Sequence, residues 1–240
     1  MICEWVDLSP AGDRSIIQKF HSEDSRDFFN ETPPTIRIIV DAALEHEANF
    51  AIAGAYYQIA QEYRVLRQPP SIESGRRRTV FTFYVDSDEA LFSTAYIVIL
   101  PFLDAASTHN NISSVVEIIN NEIVANQDLK LPKSPLIVKQ LNILLEQAIS
   151  QAATIKQTKK NIEVATKLNF CKAPTQIVLT NSSAHTLIVH DHPNFGKRFI
   201  NRSALNASTY DDISNEATKY ILPSLSMVID FVKGFHYISH

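Results

Sequence analysis

The scarcity of glycine is the sequence feature that most limits what this chain can fold into. Only 5 of the 240 residues are glycine. Average usage of roughly 7% would give about 17 in a chain of this length. Neither GxGxxG nor GxxxxGK[ST] occurs, because no two glycines lie close enough together. Glycine-rich loops that cradle phosphates are therefore excluded.

The bulk composition indicates a globular protein with a sizeable core. Hydrophobic residues make up 45% of the chain, which excludes wholesale disorder. A chain of this length holds one or two domains and needs no disulfide to stabilise it. We predict a single domain over residues 1–240. Within it, residues 1–126 form an acidic α/β sub-lobe, and residues 127–240 add a long lysine-rich helix, a β-hairpin and C-terminal helices.

Charge is unevenly spread along the chain. Residues 1–126 carry 18 acidic and 9 basic side chains, whereas residues 127–172 carry 3 acidic side chains and 8 lysines. The net charge of −4 argues against a dedicated nucleic-acid binder, which is usually strongly basic. The asymmetry can attract a polyanion or the chain's own acidic half.

Cysteine usage and the first residues point to the cytoplasm. The two cysteines, Cys3 and Cys171, form no CxxC pair, so a cysteine-based zinc site is excluded. Free thiols of a reducing compartment are expected instead. Residues 1–7 have neither a basic region nor an apolar core, and we do not expect a signal peptide there.

One apolar run approaches the length of a membrane span. Ala90–Ala106 covers 17 residues and contains Pro101 and Asp104, whereas a span needs about 20 apolar residues. The run therefore predicts a buried core helix and no constitutive span. The alternative is a segment that inserts into a membrane after a trigger.

Hydrophobic periodicity and turn signals predict a helix-rich α+β or α/β fold, with a small mixed sheet of about five strands packed against about five to seven helices. Strands are predicted at 2–7, 35–40, 79–85, 175–180 and 186–190, although residues 35–41 also allow a helix. Helices are predicted at about 10–20, 41–67, 90–106, 112–125, 135–168, 211–222 and 224–233. Residues 68–75 are predicted to be a loop, and the long helix is expected to break near 156–161.

Acidic residues follow several of the predicted strands. Asp7, Asp41 and Asp86 each come directly after an apolar segment. In an open α/β sheet, ligands bind outside the carboxyl ends of the strands. Carboxylates that meet there can hold Mg²⁺. The alternative is helix capping, because aspartate is favoured where a strand is followed by a helix.

The segment after the strand 79–85 reads DSDEALF over residues 86–92. It resembles the first motif of the haloacid dehalogenase-like phosphohydrolases. The resemblance implies that Asp86 is the nucleophile toward phosphorus, that Asp88 is the general acid/base, and that both positions help to bind Mg²⁺. Looser counterparts of the family's later motifs are Thr180-Asn181, Lys197 and Asp211-Asp212.

Histidines and arginines provide two further candidate sites. His185, His190 and His192 lie near Asp191 on one predicted hairpin strand, and such a group can hold Zn²⁺. In a regular strand His190 and His192 share a face and His185 takes the other, so surface histidines are the alternative. Three arginines follow one another as Arg76-Arg77-Arg78. Their guanidinium groups can make paired hydrogen bonds to phosphates or carboxylates, or form salt bridges with acidic groups of this chain or of a partner.

No chemical motif is complete, and the sequence does not decide between an enzyme and a binding module. The leading hypothesis is a non-catalytic cytoplasmic interaction or regulatory module that uses helical surfaces, as a homo-oligomer or with a protein partner, and needs no cofactor. A contiguous apolar patch on helix 135–168 would mark its binding face. The alternative is a Mg²⁺-dependent phosphohydrolase or phosphodiesterase, with Asp86 and Asp88 catalytic and Asp7, Asp41 and Asp86 holding the metal.

Overall fold

The computed structural model shows an α+β fold, one of the two classes that the sequence left open. It describes residues 5–7, 17–19, 33–63, 65–66, 68–125, 134–158, 160–197 and 222–235. Within these ranges the chain forms six helices, one five-stranded sheet and a separate two-stranded ladder. The prediction of a helix-rich fold around a small sheet is therefore confirmed.

The main sheet is built around a central strand. The two-stranded ladder pairs β1 (Trp5–Asp7) with β2 (Ile17–Lys19). The strands of the main sheet are β3 (Thr35–Val40), β4 (Ser71–Ser74), β5 (Thr79–Tyr84), β6 (Thr175–Thr180) and β7 (Thr186–Asp191). Their order is β4-β5-β3-β6-β7, and each neighbouring pair is antiparallel. The sequence had predicted a mixed sheet.

The central strand shows why residues 35–40 form a strand and not a helix. Ile36, Ile38 and Val40 are fully buried, while the side chains between them stay partly exposed. This alternation puts one face of the sheet in the core. Aromatic side chains fill that core, and the ring of Tyr56 lies 5.0 Å from the ring of Phe83.

Helices cover the buried face of the sheet. They are α1 (His46–Glu62), α2 (Leu91–Val98), α3 (Ala105–Ala125), α4 (Ser134–Thr158), α5 (Lys160–Lys167) and α6 (Leu225–Lys233). Most of the predicted helices are recovered, and α6 ends at Gly234 as expected. The helix predicted at 211–222 lies outside the described residues. Residue 159 does too, so the break expected near 156–161 stays a prediction.

Three predicted elements are wrong at the edges of the fold. The strand predicted at 2–7 pairs with β2 and does not join the main sheet, and β2 occupies part of the helix predicted at about 10–20. The fifth strand of the main sheet is β4, which lies in the predicted loop 68–75. All four of its residues are exposed, so it lacks the alternation by which strands are recognised. Pairing with β5 alone holds it in place.

The apolar run at 90–106 is buried apart from Leu103, Ala106 and the half-buried Tyr96, as expected of a core segment, but it is not one helix. A 3₁₀ turn at Asp88–Ala90 leads into α2, which stops at Val98, and a second turn precedes α3. Pro101 lies in that second turn, and proline has no N–H to continue a helix. Among the described residues, no helix is both long enough and apolar enough to cross a membrane.

Candidate functional site

Two of the strand-end aspartates, Asp41 and Asp86, do not lie close together. In the antiparallel pair of β3 and β5, Val40 is opposite Thr79 and Thr35 is opposite Tyr84. Asp41 and Asp86 therefore lie at opposite ends of strands that are roughly 20 Å long. The side chain of Asp7 is outside the described residues. A shared Mg²⁺ site that uses both Asp41 and Asp86 does not fit this geometry, and the described part of the chain holds no group of three His, Cys, Asp or Glu side chains suited to a metal.

Asp88 binds the turn between β6 and β7. Its side chain is buried, and its carboxylate accepts the backbone N–H of Ser182 at 2.8 Å and the hydroxyl of the same residue. Ser87 precedes the 3₁₀ turn without a side-chain cap, and Asp88 lies in the first turn. Asp88 therefore stabilises the β6–β7 turn.

The other positions of the phosphohydrolase-like pattern are divided between the two ends of the sheet. Thr180 is opposite Thr35, at the same end as Asp86 and Asp88. Lys197 follows Gly196, whose N–H is bound by Asp41 at the other end. The pair at 211–212 lies outside the described residues.

A buried polar cluster, which sequence reasoning missed, centres on Asp104. Its Oδ2 accepts the backbone N–H of Thr175 at 2.9 Å and the hydroxyl of Thr175 at 2.7 Å. The Nε2 atom of His190 lies 3.4 Å from the same oxygen, and that of His192 lies 3.8 Å from Oδ1. On its other side, His190 Nδ1 is 3.4 Å from the amide nitrogen of Asn111. The cluster joins the turn before α3 to β6 and β7.

The cluster keeps Asp104 ionised. Burial by itself raises the pKa of this carboxyl, but the hydrogen bond to His190, the nearby charge of His192 and the hydrogen bond from Thr175 outweigh burial, and the pKa is lowered. The Nδ1 atom of His192 accepts the N–H of Asn194 at 3.1 Å. The proton of a neutral His192 ring is therefore on Nε2, which faces Asp104.

A bulge in β7 explains why His190 belongs to this cluster. Ile177 is opposite His190 and Val178 is opposite Ile188, so Val189 is an extra residue in the ladder. Val189 and His190 are consequently both buried. The sequence had already predicted that His185 lies on the opposite face of a regular strand from His190 and His192. In the structure His185 lies exposed at the far end of β7 from His190, and the three do not gather.

The burial of a second histidine, His109, should make the free energy of unfolding depend on pH. The ring of His109 stacks on Tyr96 with 3.5 Å between ring centroids, and its Nε2 lies 2.7 Å from the Tyr96 carbonyl oxygen. Burial lowers the pKa of His109 to about 4. The unfolded chain then binds a proton below about pH 6.5 that the folded chain excludes. We expect the free energy of unfolding to fall as the pH drops from about 6.5 to about 4.

The substitution H109Q should flatten this decline, because glutamine keeps an N–H donor and does not titrate. Urea unfolding at several pH values measures the free energy of unfolding of the wild type and H109Q. The control is H46Q, because His46 is exposed. The stabilisation from Asp104, whose pKa is lowered, is lost in a more acidic range, below the ordinary carboxyl pKa. An H109Q profile that parallels the wild type would contradict the expectation.

The three arginines lie in the hairpin between β4 and β5. All three are exposed. Arg78 Nε is 3.4 Å from Asp41 Oδ1, and its guanidinium carbon is 4.9 Å from the centre of the Phe195 ring. Asp41 also accepts the N–H of Gly196, a residue with a φ of 72° that favours glycine. Asp41 thus holds Arg78 in place instead of capping a helix. Residues 76–78 are called the arginine hairpin below.

Among the aromatic side chains that the structure describes, the two with the largest exposed fractions lie on α1. Phe50 is 66% exposed and Tyr57 is 68% exposed. They are seven residues apart, so they project only about 20° from each other around the helix axis. The ring of His46 meets Phe50 edge-on at 4.8 Å. His46, Phe50 and Tyr57 are called the α1 aromatic stripe below.

The helices at 134–167 show a weaker apolar surface than the sequence analysis expected. Leu136 and Ile143 are exposed on one side of α4. Ile149 is also exposed, but it points about 240° around the helix from Ile143. Among the described side chains of α4, Leu136 and Ile143 share the seven-residue spacing of Phe50 and Tyr57 but are less exposed, and Ile149 lies apart from them.

A cavity of about 230 Å³ lies between the end of α1 and α4, lined by Glu62, Tyr63, Val65, Leu144, Gln147 and Gln151. Ligand pockets usually enclose about 300–1,000 Å³, so this cavity is small for a substrate.

No family model, no curated protein and no solved structure matches this chain. Its function is therefore argued from its own geometry.

Proposed function

We propose that the protein is a non-catalytic, cytoplasmic interaction module that binds another protein chain through the α1 aromatic stripe. The observation that supports this proposal is the exposure of Phe50 and Tyr57 in one line on a helix. The opposite side of the same helix is anchored in the core by Ile52, Tyr56 and Ile59. The aromatic rings are thus presented on a rigid support.

The energetics favour use of these rings in binding. Full burial of a large apolar side chain is worth about 1.5–3 kcal/mol, so covering each of these partly exposed rings is worth about 1–2 kcal/mol. Tyrosine is also among the residues that contribute most at protein interfaces. The role predicted for helix 135–168 stays untested, and its exposed apolar residues are more dispersed.

The contacts of the aspartates also support a non-catalytic role. Asp41, Asp88 and Asp104 each accept hydrogen bonds that stabilise the fold. No described contact favours the alternative phosphohydrolase, and a Mg²⁺-dependent activity of Asp86 and Asp88 stays a prediction.

Replacing both rings by serine, as F50S/Y57S, should abolish partner capture by the full-length chain. Both side chains are exposed, so we expect the free energy of unfolding to change by less than about 0.5 kcal/mol per site. The matched control is L103S, because Leu103 is 63% exposed and lies outside α1. Quantitative mass spectrometry of proteins captured from the native cell should show species retained by the wild type and L103S and lost from F50S/Y57S.

The proposal predicts a difference between these two variants. If F50S/Y57S captures the same proteins in the same amounts as L103S, the α1 aromatic stripe is not a binding surface. Thermal melts of all three proteins establish that any loss of capture does not come from unfolding.

A further inference from the structure

We infer that the α1 aromatic stripe binds the arginine hairpin of a second copy of this chain. The inference rests on the proposed function and names its partner. Each contact would join α1 of one copy to residues 76–78 of another.

Charge complementarity supports this pairing. From Asp41 to Glu62 the sequence contains no lysine or arginine. Glu45 and Glu47 are exposed beside the start of the stripe. Arg76 and Arg77 are exposed at the tip of the hairpin. A guanidinium group is attracted both to carboxylates and to the face of an aromatic ring, and the region around the stripe offers both.

The chain already contains this combination of groups within one copy. Arg78 lies over the Phe195 ring while its Nε faces the Asp41 carboxylate. The intermolecular contact repeats that arrangement, with Phe50 as the ring and Glu47, three residues earlier on the same helix, as the carboxylate. The chemistry of the contact therefore has a precedent inside the fold.

Both surfaces lie on elements with hydrogen-bonded backbones. The N–H of Gly75 donates to the carbonyl oxygen of Arg78 at 2.8 Å, which closes the hairpin. The buried side of α1 meets the sheet through Tyr56, and Phe50 and Tyr57 project from the other side of the helix. Because both backbones are already hydrogen-bonded, the entropy cost of association comes mainly from ordering the exposed side chains.

Sedimentation velocity of the full-length chain tests the inference through complementation. We expect the wild type to self-associate at concentrations up to about 200 µM, more strongly at low than at high ionic strength. F50S/Y57S and R76A/R77A should each weaken self-association by about tenfold or more. An equimolar mixture of the two should recover association, because each variant retains the surface that the other lacks.

The matched control is K139A/K156A, which removes two exposed positive charges from α4 and should associate as the wild type does. A wild type that stays monomeric overturns the inference, and so does a mixture that fails to recover association. If the chain stays monomeric but F50S/Y57S still loses captured proteins, the inference fails and the proposed function stands. If neither association nor capture depends on the stripe, both fail.

Discussion

Replacing Asp104 with alanine should lower the free energy of unfolding by about 3–5 kcal/mol. The carboxylate accepts both the N–H and the hydroxyl of Thr175, and it faces the Nε2 atoms of His190 and His192. Alanine leaves both Thr175 donors buried without an acceptor. A buried donor without a partner costs about 1–3 kcal/mol.

The expected loss can be separated from a general effect of removing a charge. The control is D230A, because Asp230 is exposed on α6 and forms an ion pair with the neighbouring Lys233. D230A should change stability by less than about 0.5 kcal/mol. D104N keeps the shape of the side chain and one acceptor oxygen. Its loss of stability should therefore lie between those of D104A and D230A. Urea unfolding at neutral pH measures all three, and a D104A loss as small as that of D230A would show that the cluster does not stabilise the fold.

The substitution G234A adds one methyl group and should lower the free energy of unfolding by about 1–3 kcal/mol. A Cβ there would lie 2.5 Å from Nδ1 of His185 and 2.6 Å from the amide nitrogen of Asn181. Asn181 does not move easily, because its side chain is fully buried. Asn181 donates to the carbonyl oxygen of Phe231 at 2.8 Å, and Ser183 donates to that of Gly234 at 2.7 Å. The end of α6 is thus bound closely to the β6–β7 turn.

The same substitution at Gly54, G54A, should have the opposite effect on the free energy of unfolding. A Cβ at Gly54 would meet only the side chain of Asn161, at 3.3 Å. Asn161 is exposed and can turn aside. In a helix interior alanine is favoured over glycine by about 1 kcal/mol, so G54A should be neutral or stabilising. Thermal and urea unfolding of G234A and G54A check the pair, and equal losses would contradict the close contact at Gly234.

The local hydrophobic pattern was sufficient to predict the elements that bury one face and expose the other. The β6–β7 hairpin, β5 and α6 were predicted because apolar alternation or helical spacing is bounded there by turn residues. β4 was missed because all its residues are exposed, and its position depends on the neighbouring strand. β2 was misread as helix because pairing with β1 overrides local propensity.

The candidate sites depended on contacts that no local pattern reveals. Asp104 and His190 are 86 positions apart in the sequence, and a bulge turns His190 toward Asp104. The sequence predicted one helix with Tyr56 and Tyr57, but adjacent residues point about 100° apart. Tyr56 is the buried tyrosine, because that side of α1 packs against Phe81 and Phe83. Asp41 and Asp86 were expected to meet because strand direction was unknown.

The α1 aromatic stripe is a binding surface only if another molecule lies on it in the cell, and photocrosslinking measures that directly. A photoreactive phenylalanine analogue replaces Tyr57 in the full-length chain, and in a control chain it replaces Leu103, which is similarly exposed. Illumination should give a discrete adduct from position 57 and none from position 103. An adduct with twice the mass of the chain would identify a second copy as the occupant, and one of another mass a different protein. No adduct from position 57, or the same products from both positions, would contradict the proposed function.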